Sequence, residues 1–186
     1  MTSILIDNDL LLRSYQPEDA PDLFRVVQES RAHLRPFLNW VDSTTKPEHS
    51  LQFIQNAQMQ QNNQQALALG IFLNQRELIG GIGMHGWDHY LKRAQIGYWI
   101  SKEHEGKGLM MRSATRFIDF LFTRLDLNKL EMHIIPYNKR SIALAERLGA
   151  KVEGVIRQSI KVNGMLEDVI ITGILKNEWK LPEGKK

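Results

Sequence analysis

The run Tyr98-Trp99-Ile100-Ser101-Lys102-Glu103-His104-Glu105-Gly106-Lys107-Gly108-Leu109 constrains the fold more than any other stretch of the chain. An apolar strand ends in a charged turn with two glycines, and an amphipathic helix begins at once. Met110, Ala114, Phe117, Ile118, Leu121 and Leu125 recur at helical spacing, which predicts a helix from Lys107 to about Leu125. A strand from Lys129 to Pro136 follows. Two strands joined through such a helix are parallel neighbours, because a parallel pair needs a long crossover. The turn is chemically loaded as well. The first N–H groups of a helix lack intrahelical partners and sit at the positive end of its dipole, so they take a phosphate readily. Gly106 and Gly108 leave the backbone bare for an anion to approach. Read locally this is a pyrophosphate seat, although a spaced glycine pair also makes an ordinary strand-to-helix turn.

The remaining elements fit around that crossover. Asp9 to Ser14 reads as a strand, and Pro17-Glu18-Asp19 opens a helix that carries Leu23, Phe24, Val26 and Val27. Arg35 to Val41 is irregular and aromatic. A helix is expected from Pro47 to about Asn63, with Leu51, Ile54 and Met59 on one side and a polar end, Gln60 to Gln65, that is a loop candidate. Ala66–Leu73 and Leu78–Met84 form a hairpin, in which Gly80-Gly81-Ile82-Gly83 signals a bulge or a second backbone passing close. A strand from Ala94 to Ser101 leads into the glycine turn. Asn138 to Leu148 is a helix with an Asn cap and Gly149 as its stop. Two last strands, Val152–Val162 and Leu166–Leu175, are joined by Asn163-Gly164, a strong hairpin signal. The expected fold is α/β (α+β), a mixed central sheet of about seven strands with about four helices. All 186 residues are expected to form one domain, with its core from about residue 10 to 175.

Composition narrows the chemistry. The chain has no cysteine, which excludes disulfides, a thiolate zinc site and a cysteine nucleophile, and suits a reducing cytoplasm. A net charge of +3 permits an anionic ligand, but no dense basic stripe points to nucleic acid. No run approaches the roughly 20 apolar residues that span a bilayer, and the first residues lack a signal-peptide pattern, so no membrane partner is expected. His85 and His89 flank Gly86-Trp87-Asp88 in an expected hairpin turn with no third ligand in view, so no metal is expected.

Taken in order, Phe37–Trp40, Leu78–Gly81, Ala94–Ile100, Gly106–Gly108, Asn138–Ser141, Leu148–Ala150, Gly154 and Glu167–Val169 carry a resemblance. The chain resembles the GNAT (Gcn5-related) N-acetyltransferase superfamily from about Leu10 to Leu175. More narrowly, it is similar to the RimJ/RimL-type ribosomal-protein alpha-amino acetyltransferases. The resemblance implies acetyl-CoA as cosubstrate. Its pantetheine arm would run along the strand at Trp99 and Ile100, with its pyrophosphate on Gly106, Lys107, Gly108, Leu109 and Met110. Asn138 would bond the cofactor arm, and Ser141 would lie near the thioester sulfur. Three positions depart from the pattern. Glu103 stands where Gln or Arg opens the motif, Gln95 where many relatives have Glu, and Ile160 where a carboxylate base would align.

The catalytic candidates are therefore Ser141, Asp168 and His85. Ser141 would protonate or stabilise the departing thiolate, but Ser at that helical position also bonds the first turn. Asp168 would orient the amine or act as base, or pair with Arg157 across the hairpin. His85 is a further base candidate. Phe37, Asn39 and Trp40 would line the acceptor entrance or anchor a packed loop. Lys107 and Arg112 would meet phosphates or simply be solvated. The implied activity is direct transfer of acetyl to a primary amine, the N-terminal alpha-amino group of a protein. The alternatives are a polyamine or aminoglycoside acceptor, or a non-catalytic acyl-CoA-binding domain. A homodimer is compatible with the resemblance.

Overall fold

The protein's architecture comes from a computed structural model that describes residues 1–181. Its strands are β1 (Ser3–Leu5), β2 (Leu10–Ser14), β3 (Leu67–Leu73), β4 (Glu77–Asp88), β5 (Arg93–Ile100), β6 (Lys129–Ile134), β7 (Lys151–Val162) and β8 (Met165–Leu175). They form one sheet in the order β1-β2-β3-β4-β5-β6-β8-β7. The helices are α1 (Ala20–Glu29), α2 (Arg31–Leu34), α3 (Pro47–Asn62), α4 (Leu109–Thr123) and α5 (Lys139–Arg147). This is the α+β arrangement expected, with the four-residue helix α2 and one strand more: β1, too short to read in isolation, pairs Ile4 with Leu12 of β2.

The hairpins close where backbone chemistry asks for it. Asn74 and Gln75 adopt φ of 48° and 61°, and Asn163 and Gly164 adopt 49° and 84°. Such left-handed pairs match the twist of the strands they join. Gly108, at φ 76°, is the cap of α4, so that helix starts at Leu109 rather than Lys107. Leu109 then turns inward, while Met110 is only half-buried.

Each face of the sheet has its own core. Ala114, Phe117, Ile118 and Leu121 of α4 pack with Ile82, Met84, Ile96, Leu130 and Met132 on one face. Leu23 and Val27 of α1 and Ile54 of α3 cover Tyr15, Phe72 and Leu78 on the other. Helix α3 departs from expectation twice. Met59 is 54% exposed, and Ser50, Ile54 and Ala57 form the buried side instead. The polar run also continues the helix to Asn62, because Gln is a good helix former with no need of a core. No helix among the described residues is long and apolar enough to cross a membrane.

The Gly80–Gly83 segment shows both features its glycines suggested. The β3–β4 register shifts at Ile71/Phe72, and a Cβ on Gly80 would collide with the Trp99 carbonyl and lie 3.0 Å from the Ile100 Cα. The decisive feature lies one strand further on. β5 and β6 are parallel, as the crossover through α4 requires, but pair only at Arg93–Lys129, Ala94–Leu130 and Gln95–Glu131. Beyond Gln95 they part and leave a wedge.

Gly80→Ala places a methyl against the β5 backbone at Trp99 and Ile100. The variant is expected to lose about 1–3 kcal/mol, the cost of overpacking a site that cannot shift, measured as a lower urea midpoint at unchanged m-value.

Candidate functional site

The wedge exposes one edge of β5. Backbone groups of successive strand residues point to opposite sides, and the Ser101 N–H donates to the Ile79 carbonyl at 2.8 Å, toward β4. Trp99 faces the same way, opposite Gly81. Tyr98 and Ile100 therefore present their N–H and C=O to the wedge, where β6 no longer pairs with them. These groups need hydrogen bonds, and an extended amide chain can supply them as an added strand would. Trp99, expected on the cofactor, instead turns its backbone to β4 and its ring to the other face.

At the end of that edge lies the glycine turn. Gly106 and Gly108 both have φ 76°, and a Cβ on either would have nothing within 4 Å. Among the described residues no side chain caps α4, so its first N–H groups are open to an anion. The charged side chains around the turn are largely occupied. The Glu105 carboxylate pairs with Arg140 of α5, takes a bond from Lys102 at 3.1 Å and lies 3.6 Å from His33 of α2. Ser101 Oγ bonds His104 Nδ1 at 2.9 Å inside the turn. Arg112 is bound by Asp7 and by Asp9, the latter at 2.6 Å, so it is not free for phosphate. Burial alone would raise the Asp7 carboxyl, but its bonds to Arg112 hold it below the usual carboxylate range. Lys107 and Glu103 are exposed. The seat is thus made of backbone.

Across the wedge, Tyr98 Oη bonds Ser141 Oγ at 2.7 Å. The Ser141 N–H donates to Asn138 Oδ1 at 3.2 Å, so Asn138 caps α5 through that oxygen. Sequence reasoning missed Tyr98; its alternation with Ile96 and Ile100 was the available signal, since it puts the ring on the α5 side. Burial raises the Tyr98 phenol above 10.0, against the lowering effect of Ser141. The phenol therefore stays protonated and can pass its proton to Ser141.

The opposite face of β5 borders a cavity of about 980 Å³ between α1, α3 and strands β3 to β5. Its wall includes Tyr15, Trp40, Phe53, His85 and Gly97–Trp99 and, among the described residues, no Asp, Glu, Lys or Arg. Trp40 meets Trp99 edge-on, with centroids 6.0 Å apart. Of the three expected entrance residues only Trp40 lines this cavity. Phe37 packs on Tyr137 at 5.9 Å, and Asn39 is exposed elsewhere. The Tyr137 hydroxyl donates to the Pro36 carbonyl at 3.2 Å, joining the same two loops.

His85 lies within β4 rather than beside a tight turn, directly opposite Gln95. Desolvation lowers its pKa from 6.5, Gln95 raises it and His133 lowers it, with a net downward shift. His85 is therefore neutral at pH 7 and can accept a proton. His89 instead stacks on Trp87 at 4.6 Å and bonds the Gln64 carbonyl. Gln95 also stands beside Glu131 of β6, whose carboxylate takes Lys129 at 3.1 Å and His133 at 3.3 Å. Asp168 accepts a bond from the Gln158 N–H at 2.9 Å, where Gln158 sits at φ 47° in a β7 bulge. Among the described residues it makes no ion pair with Arg157, and it does not line the cavity. Ile160 pairs with Glu167 across the same hairpin.

Comparison with known proteins gives a consistent picture. Residues 9–151 match the family model described as an acetyltransferase (GNAT) domain. The chain is 29% identical to the putative ribosomal N-acetyltransferase YdaF of Bacillus subtilis, over all of both chains. It is 30% identical to the spermidine N(1)-acetyltransferase of Vibrio cholerae, over 56% of this chain and 61% of that one. Among solved structures, RimL, a ribosomal L7/L12 alpha-N-protein acetyltransferase in complex with coenzyme A, superposes with a TM-score of 0.91. That match has 25% identity and covers 95% of this chain and 99% of the other.

Glu105 ties the glycine turn to α5 through Arg140, bonds Lys102 within the turn and lies 3.6 Å from His33 of α2, whose pKa desolvation lowers. Glu105→Ala is expected to speed amide exchange across residues 102–108 by about tenfold, since exposed pairs contribute up to about 1 kcal/mol each. The urea midpoint should barely move; unchanged exchange in these amides would remove Glu105 from that role.

Proposed function

The chain belongs to the GNAT acetyltransferase family, and from there we propose that it transfers acetyl from acetyl-CoA to the α-amine at a protein N-terminus. The observation that carries this reading is the junction at β5, where a free backbone edge on one side meets, on the other, a cavity with no carboxylate among the described residues. The donor fits the first side: Tyr98 and Ile100 bond its amide-bearing arm, and Gly106 to Met110 offer backbone to its pyrophosphate. The acceptor fits the second. A polyamine keeps further positive charges after one amine is deprotonated, and burying them without carboxylates is costly. A protein N-terminus loses its only obligatory charge when it becomes reactive.

Acetyl-CoA supplies the thioester, and the protein's residues position the amine and manage protons. The neutral amine attacks the carbonyl carbon, a C–N bond forms and the C–S bond breaks. The amine proton passes to His85. Ser141 Oγ gives a proton to the departing sulfur and takes one from Tyr98; the cycle closes as solvent returns a proton to Tyr98 and takes one from His85. Much of the rate comes from holding amine and thioester together. Asp168 has no catalytic part in this scheme; it holds the β7 bulge.

A thiol-release assay with acetyl-CoA tests the reading, and the cysteine-free chain contributes no background. N-terminal peptides are expected to outpace spermidine and aminoglycosides in kcat/KM. The reverse order would move the assignment to small amines, and no release with any acceptor would leave a binding domain. Ser141→Ala should lower kcat by about 10²-fold with acetyl-CoA affinity retained.

The pH profile tests His85. Log kcat/KM should fall with unit slope below the acceptor amine's pKa, about 8 for an α-amine. It should steepen to a slope of two below the pKa of His85, where that base is protonated. His85→Asn should abolish the second break; its persistence would assign the base elsewhere.

A further inference from the structure

The outward side of α3 carries an unusual pattern. Gln52, Asn56 and Gln60 are exposed, stand four residues apart and border the cavity. A solvated helix face ordinarily carries charge, whereas these three positions carry only amides. The amides on the helix's inner side have partners. Gln58 donates to the Tyr15 carbonyl at 2.9 Å, and Gln61 bonds Ser14 and Thr2, each at 3.0 Å. The outer three side chains make no hydrogen bond among the described residues.

Resting on the reading above, we propose that this ladder grips the backbone of the acceptor, which lies extended along α3 as a peptide of about four residues or more. Side chains four apart on a helix repeat every ~6 Å, close to the ~6.7 Å that two residues of an extended chain span. Each carboxamide offers both a donor and an acceptor, matching the N–H and C=O that every peptide residue presents. The i±4 ridge inclines to the helix axis by ~26°, so the peptide crosses α3 obliquely between that helix and the sheet. The occupant is a polypeptide and not a polyamine, because a polyamine has no carbonyl for the amide donors and, among the described residues, the wall has no carboxylate for its charge. Grip on the backbone makes recognition depend on acceptor length more than on side-chain identity beyond the first residue.

The test measures kcat/KM in the thiol-release assay for amidated serine-initiated alanine peptides of one to six residues. The value is expected to rise at least tenfold between one and four residues and then level off, each backbone bond adding about two- to tenfold. Backbone N-methylation at the third residue of the four-residue peptide should cancel much of that gain in the unmodified enzyme. In the Gln52→Ala/Asn56→Ala/Gln60→Ala variant the length advantage should shrink below threefold. Peptide turnover that is flat with length, or a length advantage that survives the triple substitution, overturns the proposal while leaving the N-terminal reading standing. Turnover of spermidine with no turnover of any peptide overturns both.

Discussion

The parting of β5 from β6 after Gln95 is the constraint on which the rest of the site depends. Unpaired strand backbone is ordinarily disfavoured, since each buried group without a partner costs about 1–3 kcal/mol. Here the opening is held by what lies on either side. Helix α4 is packed into a core whose central side chains are fully buried, which fixes where β5 ends and β6 begins. The Tyr98–Ser141 bond then spans the gap from β5 to α5, and the Tyr137–Pro36 bond joins the loops beyond it. Neither contact closes the sheet; both set the width of the opening.

Strand alternation gives the opening two different faces. Ile96, Tyr98 and Ile100 turn toward α4 and α5, whereas Gln95, Gly97 and Trp99 turn toward the cavity. A donor bonded to the strand edge and an acceptor in the cavity would meet at one strand only a few ångströms thick. Their relative placement is then set by a strand paired along its length to β4 rather than by a mobile loop. Gly80 and Gly81 make the close β4–β5 approach possible, which is why their lack of side chains matters to the site as well as to the fold.

Electrostatics follow a similar economy. The acidic turn looks hostile to an anion, with Glu103 and Glu105 both in it. Glu105 is neutralised by Arg140 and Lys102, and Arg112 is in turn neutralised by Asp7 and Asp9. What remains at the turn is bare backbone at the head of α4, with Glu103 and Lys107 exposed to solvent beside it. Glu131 is matched by Lys129 and His133, and among the described residues the cavity beside it has no Asp, Glu, Lys or Arg in its wall. His85 borders that cavity, and desolvation lowers its pKa from 6.5.

Features governed by neighbours within a few residues were legible in the chain. The two hairpin turns, the Asn138 cap, the parallel crossover and the resemblance built on them all follow from local φ/ψ preferences and periodicity, whereas the start of α4 falls two residues later than read, at the Gly108 cap. Where packing partners decide, the reading failed or fell short. β1 is a strand only because β2 is beside it, and Met59 faces out because Ser50, Ile54 and Ala57 fit the sheet better. Asp168 is held by a bulge that no spacing reveals. The Tyr98–Ser141 pair joins residues 43 apart, and Gln95 meets His85 and Glu131 through pairing with separate strands. Sequence by itself determined the elements and the family, because hydrogen-bond geometry and side-chain period act along the chain. Tertiary structure decided which side chains share the site, because that depends on strand register and on where β5 and β6 separate.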